Sequence, residues 1–516
     1  MSLDALTGLT PHVPLPDGGS SIGQATFTGD ACGSNDPQVQ AAVDRTVQAA
    51  DGRIDSHAAV SYQIGETMSD PSLTQAQKDA YIAQLVAMAN GGSGCAGVSP
   101  EQAAAINRAF SEVGNAAGHP CTPELRQQVA DSIARSVADG SLGSNELYGL
   151  VSSGAAGSRQ LLTGVQDSAL LAQVSQRLLA DARQQGYDIN QYQRGPQLLT
   201  AAADLANMAA ALGDRSAADA VLAEIDAVTR AGPVAGDMTL VQAMMATSLN
   251  DRVDLPARDG FHALAALLGA SSATPDNQEA QDRLFAGLAR SGSDGYAGGI
   301  DQSGERASAL DQLGEYFERN FPRLAEADWR KSNTGDFHHG LVKDFMRQVL
   351  LDGDYGRIDQ TNGVIAAEMH RLASQIGNTG LSPQVRENAA STLGTIMGSL
   401  EWATADFIAN AKGDAEAKVE IIRFFTDKLT DKLIKTGAKQ LPEGDARDAG
   451  TQAAKGFVDK LWQGITDWMA SGEIQRGNEV TGPMVGLSQV LRDAMSDGES
   501  YLLNAFDLRE DLYYDP

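Results

Sequence analysis

From about residue 36 onward, apolar side chains recur every three to four positions, the spacing that gathers them on one side of an α-helix. Over 75–89, QAQKDAYIAQLVAMA, the pattern predicts a helix with Tyr81, Ile82, Leu85, Val86 and Met88 on one narrow face that needs a neighbour. Ala, Leu, Gln, Glu and Arg dominate such stretches, and these residues lose least on entering a helix. No two alternating Val, Ile, Thr or Tyr runs are joined by Asn-Gly or Asp-Gly, the mark of a β-hairpin. The expected fold class is all-α.

Helix starts are legible. Thr74, Ser99, Thr122 and Ser382 each place a hydroxyl where it can cap free backbone N–H groups. After the last three, proline occupies the first helical position, where its missing N–H loses no bond. Intervals of 25, 23 and 22 residues separate Thr74, Ser99, Thr122 and Ser144, so one helix plus one turn recurs as a module. The interval drifts and no consensus side chains return, which predicts a run of αα-hairpins rather than a tetratricopeptide or ankyrin array.

Aromatic content divides the chain. Residues 1–250 hold seven Phe, Trp and Tyr and residues 251–516 hold twenty-one, including all four Trp. The first half must then pack closely on Ala, Leu and Val, while the second can build a thicker aromatic core. The division expected is a mobile arm over 1–36, a helical-hairpin domain over 37–289, a Gly-rich linker over 290–305, an aromatic-rich helical bundle over 306–475, and a C-terminal helix with an acidic tail over 476–516. A weaker break is expected at 251–259, DRVDLPARD.

Charge narrows the partners. With 39 Lys and Arg against 67 Asp and Glu, the formal net charge of −28 repels phosphate backbones and argues against nucleic acid. No apolar run is long enough to span a bilayer, and the first residues lack the basic and apolar regions of a cleavable signal peptide. The N-terminal arm reads either as a frayed end or as an uncleaved address for a bacterial delivery machine, so the compartment expected is the bacterial cytoplasm or export by a specialised system. Cys32, Cys95 and Cys121 form neither a disulfide framework nor a zinc clamp; a Cys95–Cys121 bridge is geometrically conceivable but unsupported by spacing.

The candidate chemistry is sparse. Asp336, His338 and His339, with His370 on a separate helix, supply imidazole and carboxylate for a general base or a metal-assisted hydrolysis. Adjacent histidines diverge by roughly 100° on a helix, so they could share one ion only from a loop. The plainer reading makes Asp336 the N-cap of the helix through Val342–Leu351. The acidic loop 352–359 fails as a calcium loop, because Gly356 and Gly363 stand where an EF-hand needs its third monodentate ligand and its bidentate glutamate. No nucleophile elbow, phosphate loop or dinucleotide fingerprint occurs, and neither metal nor cofactor is expected.

Residues 412–470 are the most distinctive. Between Lys418 and Lys439, six basic residues face three acidic ones, with Val419, Ile422, Phe425, Leu429 and Leu433 at helical spacing. A second stripe carries Phe457, Leu461, Trp462, Ile465 and Trp468, candidates for a partner-facing or membrane-facing surface. The favoured reading is two core helices with lysines outward.

These features have the general look of bacterial proteins handled by a secretion machine, an analogy of style. The function expected is non-enzymatic protein interaction, as an effector, adaptor or structural protein with a protein partner; oligomeric state is open. The alternatives are a membrane-active toxin using 412–470 and a hydrolase using the Asp336/His338/His339 cluster.

Overall fold

A computed structural model of the chain describes residues 36–440 apart from 91–97, 116–120, 144–145, 148–160, 192–193, 247–259, 294–303, 332–339, 378–379 and 411–414. The described residues form an all-α fold, with one isolated bridge between Ala235 and Met238 and no strand. Residues 1–35 of the expected arm, the break at 251–259 and the second apolar stripe at 457–468 lie outside the described residues.

The first helices are α1 (Pro37–Ala49), α2 (His57–Ser69), α3 (Gln75–Ala89), α4 (Pro100–Gly114) and α5 (Pro123–Ala138). Of these, α3, α4 and α5 start where the hydroxyls predict. Thr74 Oγ1 accepts from the Gln77 amide at 3.3 Å while the Gln77 side chain accepts from the Thr74 N–H at 2.8 Å, and Ser99 and Gln102 repeat this reciprocal box. Thr122 caps α5 and Ser382 accepts from the Val385 amide. The narrow face expected for α3 is wider in fact: every residue from Tyr81 to Ala89 is buried, because α3 lies between α1, α4 and α5. Tyr81, the first of these, places its hydroxyl 2.8 Å from Thr46, and desolvation pushes its pKa up to about 12.

The chain continues through α6 (Ser168–Gln185), α7 (Gly195–Ala211), α8 (Ser216–Ala231), α9 (Leu240–Ala246), α10 (Gly260–Ala270) and α11 (Pro275–Ser293). It ends in α12 (Gly304–Lys331), α13 (Leu341–Asp352), α14 (Tyr355–Gly377), α15 (Pro383–Asn410) and α16 (Ala415–Gln440). From α7 the helices stack in two rows. One row runs α7, α10, α12, α14, α16 and the other α8, α11, α13, α15, each helix packing on its row neighbours and on its hairpin partner. Within the first row α12 and α14 run parallel: Asp311 meets Arg357 near their starts, and Glu326 interacts with Arg371 near their ends.

Side chains of one helix bond the main chain of the next in its row. Asn207 donates to the Ala263 carbonyl at 2.8 Å, Gln348 to the Leu288 carbonyl at 2.7 Å, and Asn362 to the Phe425 carbonyl at 2.9 Å, over separations of 56, 60 and 63 residues. Arg357 adds a bond to the Ala307 carbonyl. Ion pairs connect the same neighbours: Arg283 with Asp226, Arg290 with Asp344, and Arg347 with Asp406 in one row, Arg357 with Asp311 and Lys432 with Asp359 in the other. Such pairs, largely buried at Arg283–Asp226 and Arg347–Asp406 and partly exposed at the others, add little net stability but are lost if a helix slips by one turn, so they fix its register.

Phe285, Tyr316, Phe317, Phe321 and Phe345 form an aromatic cluster with ring centroids 4.4 to 6.3 Å apart. Phe285 belongs to α11, before the stretch expected to be a linker, and the other four follow it. Arg290–Ser293 of that stretch are helical and continue α11, because Leu288, Ala289 and Ser291 are buried there.

Several corners share one device, in which an aspartate accepts from both the backbone amide and the hydroxyl of the serine two residues on: Asp70/Ser72, Asp139/Ser141 and Asp214/Ser216. The acidic loop at 352–359 is another corner. Asp354 caps α14 through the Arg357 amide at 2.8 Å, and Asp352 pairs with the Arg357 guanidinium.

Candidate functional site

Asp336, His338 and His339 fall within 332–339, outside the described residues, as do Phe457, Leu461, Trp462, Ile465 and Trp468. His370 is half-buried on α14 beside Glu368 and Arg371, which pair at 2.6 Å. Of the basic segment, Ile422, Phe425 and Leu429 are buried on α16, which lies along α14, while Lys432 reaches Asp359. Its apolar stripe is thus in the core, packed on α14; the second stripe, which the spacing predicts as its partner, lies outside the described residues.

Residues 332–339 are flanked by the last turn of α12 and the first turn of α13. On α12, Phe321, Leu324, Ala325 and Asp328 follow one another at helical spacing and are all buried, so a carboxyl occupies a position the pattern reserves for an apolar side chain. Gly340, with φ of 83°, turns the chain through the left-handed region into α13. There Asp328 accepts from the Leu341 amide at 2.8 Å on one oxygen and from the Val342 amide at 3.0 Å on the other.

The start of α13 is thus capped by a side chain from α12, while Asp336, the local cap expected from the sequence, lies outside the described residues. Two of the N–H groups that every helix start leaves without an intrahelical partner are satisfied this way.

Asp328 is 2% exposed. Desolvation pushes its pKa up to about 7, against the opposing pull of the Val342, Leu341 and Gly340 amides; the charge of Asp344 pushes it further in the same direction as burial. Asp344 is itself buried on the first turn of α13 and meets Arg290 of α11 at 3.5 Å. At this depth the carboxyl meets no dissolved substrate. The chemistry open to it is uptake and release of a proton.

A second polar cluster joins α2 to α4. Ser61 Oγ donates to Glu112 at 2.8 Å, and His57 Nε2 lies 2.8 Å from the other carboxylate oxygen. In a serine-nucleophile relay the imidazole stands between hydroxyl and carboxylate; here the carboxylate stands between them, so this geometry does not activate the hydroxyl. Cys121 is a free, buried thiol, and burial together with the nearby Glu112 pushes its pKa up, away from a reactive thiolate. The sequence reading singled out neither cluster, since Ser61 and Glu112 are 51 residues apart and meet only through helix packing.

Among the described residues, no group of three or more His, Cys, Asp and Glu is arranged to hold a metal ion, and no helix is long and apolar enough to cross a membrane. No protein-family model matches the sequence, and no curated protein is similar to it.

Proposed function

We propose that the chain is a non-enzymatic interaction protein, a bacterial effector, adaptor or secretion-associated structural protein that works through the outer faces of its stacked helices. The observation that supports this reading is the two-row stack, in which helices pack on row neighbours and hairpin partners and so leave long outward-facing surfaces, as in repeat proteins that bind along their length. Polar side chains with catalytic potential, such as His57 and Glu112, are engaged in holding helices together. A net charge of −28 favours a protein partner with a basic face.

The test is photo-crosslinking in the intact chain. A crosslinking residue replaces one exposed apolar side chain at a time, Tyr62, Leu212 or Val385. A discrete protein adduct at one or more positions, competed by unlabelled wild-type chain, is the expected result. No competed adduct at any of the three overturns the reading.

A further inference from the structure

Three aspartate–glycine pairs lie wholly within the described residues, Asp51–Gly52, Asp139–Gly140 and Asp352–Gly353, each at the end of a helix or just past it. In such a pair the glycine nitrogen can attack the aspartate side-chain carboxyl, because no glycine side chain shields it and the five-membered ring that forms is unstrained. We propose that Asp51–Gly52, in the corner between α1 and α2, is a modification site at which Asp51 isomerises to isoaspartate, while the other two pairs are held unreactive.

The reaction needs a free carboxyl and a free glycine N–H. Asp139 accepts from the Ser141 amide at 2.9 Å and the Ser141 hydroxyl at 2.7 Å, and the Gly140 N–H donates to the Val137 carbonyl at 3.2 Å. Asp352 pairs with the Arg357 guanidinium, and the Gly353 N–H donates to the Val349 carbonyl at 3.3 Å. Asp51 is exposed, and among the described residues neither its carboxyl nor the Gly52 N–H has a hydrogen-bond or ion-pair partner. The bonds that hold this corner pass on either side: the Asp51 N–H donates to the Gln48 carbonyl at 3.2 Å, and the Arg53 N–H to the Ala50 carbonyl at 3.1 Å. The peptide linking Asp51 to Gly52 takes no part in them.

The backbone favours the same site. Asp51, with φ of 39°, is the one non-glycine residue with positive φ among the described residues, in the left-handed region that crowds a Cβ. A Cβ on Gly52 would meet nothing within 4 Å, so no neighbour obstructs the rotation that brings its nitrogen to the Asp51 carboxyl. Isoaspartate carries the chain through the side-chain carbon and escapes the strain of that φ.

In the first step the Gly52 nitrogen bonds to Asp51 Cγ, and the carboxyl hydroxyl leaves with the amide proton as water, closing a succinimide. Water then adds to the ring. Opening at Cγ returns aspartate. Opening at the main-chain carbonyl breaks the bond from that carbon to the Gly52 nitrogen, leaves a carboxylate on the Asp51 α-carbon and lengthens the backbone by one methylene. Mass and oxidation state are unchanged, and mildly acidic buffer favours ring closure because the hydroxyl leaves from the neutral carboxyl.

The test holds the full chain folded in warm, mildly acidic buffer and digests samples at intervals, using electron-transfer fragmentation to separate isoaspartyl from aspartyl peptides of equal mass. Isoaspartate should accumulate at residue 51 roughly tenfold or more faster than at 139 or 352, where bonds to both the carboxyl and the glycine N–H must first break. Ser141→Ala removes one bond to Asp139 and should raise the rate there severalfold while leaving residue 51 unchanged. In unfolding urea, which releases all the pairs, the rates should converge. Absence of isoaspartate at 51, equal rates at the three sites in the folded chain, an unmoved rate at 139 in Ser141→Ala, or a difference retained in urea overturns the proposal.

Discussion

Replacing Gly195 with alanine probes the tightest backbone approach in the α6–α7 hairpin. A Cβ at this position would lie 2.0 Å from the Gly186 carbonyl oxygen, 2.7 Å from its carbon and 2.7 Å from Tyr187 Cδ1. Against an ordinary non-bonded separation of about 3.5 Å, the shortfall at the oxygen is roughly 1.5 Å. The nearest obstacle is main chain, so no rotamer change relieves it. The Gly195 N–H also donates to that same carbonyl at 3.0 Å, so pushing the two strands of chain apart weakens a bond as well. Overpacking of this kind costs about 1–3 kcal/mol and the bond about 1 kcal/mol, so Gly195→Ala should destabilise by about 3 kcal/mol. Gly314 is the control: it lies within α12, and a Cβ there meets nothing within 4 Å. Gly314→Ala should stabilise by about 0.5–1 kcal/mol through helix propensity and a less flexible unfolded chain. Urea unfolding followed by circular dichroism separates the two. Equal midpoints for Gly195→Ala and wild type would refute the close approach of α6 and α7.

Three further outcomes follow from the joints and caps. Arg283→Met leaves the buried Asp226 carboxylate with only the more exposed Arg230 and should destabilise by about 3 kcal/mol in urea titrations, while Asp226→Leu combined with Arg283→Met should recover most of the loss. Thr74→Ala dismantles the reciprocal cap of α3 and should cost about 1 kcal/mol by the same measurement. Asp70 and Asp214 are held below the usual carboxylate range by the hydroxyls and amides of Ser72 and Ser216, so their contribution is present above the ordinary carboxylate pKa and is lost as pH falls. Carboxyl NMR titration should show each pKa rising toward its ordinary value in Ser72→Ala and Ser216→Ala.

What the sequence discloses is what is decided locally. Thr74, Ser99, Thr122 and Ser382 act within three residues of themselves, and each is found at the helix start it predicts. The face of Ile422, Phe425 and Leu429 is equally legible, because burial at helical spacing needs no knowledge of the partner. The burial of α3 on all sides from Tyr81 to Ala89 is not, since its width depends on three helices arriving from elsewhere. Nor are the joints: when Asn362 donates to a main-chain carbonyl, any residue can supply the acceptor, and Phe425 carries no mark of the bond. This explains how helices can stack regularly without a repeating consensus. Asp328 left a partial trace, a carboxyl continuing the apolar series of Phe321, Leu324 and Ala325, but the amides it caps are 13 and 14 residues further along.

Within each row, neighbouring helices are joined by side-chain bonds and apolar contacts, α11 and α13 among them. Hydrogen exchange of the full chain in rising urea tests it, with peptides from α11 and α13 compared. The contacts of Phe285 with Phe345 and of Gln348 with the Leu288 carbonyl predict that both helices lose protection at one shared midpoint. Exchange in which α13 opens fully while α11 stays protected would contradict it.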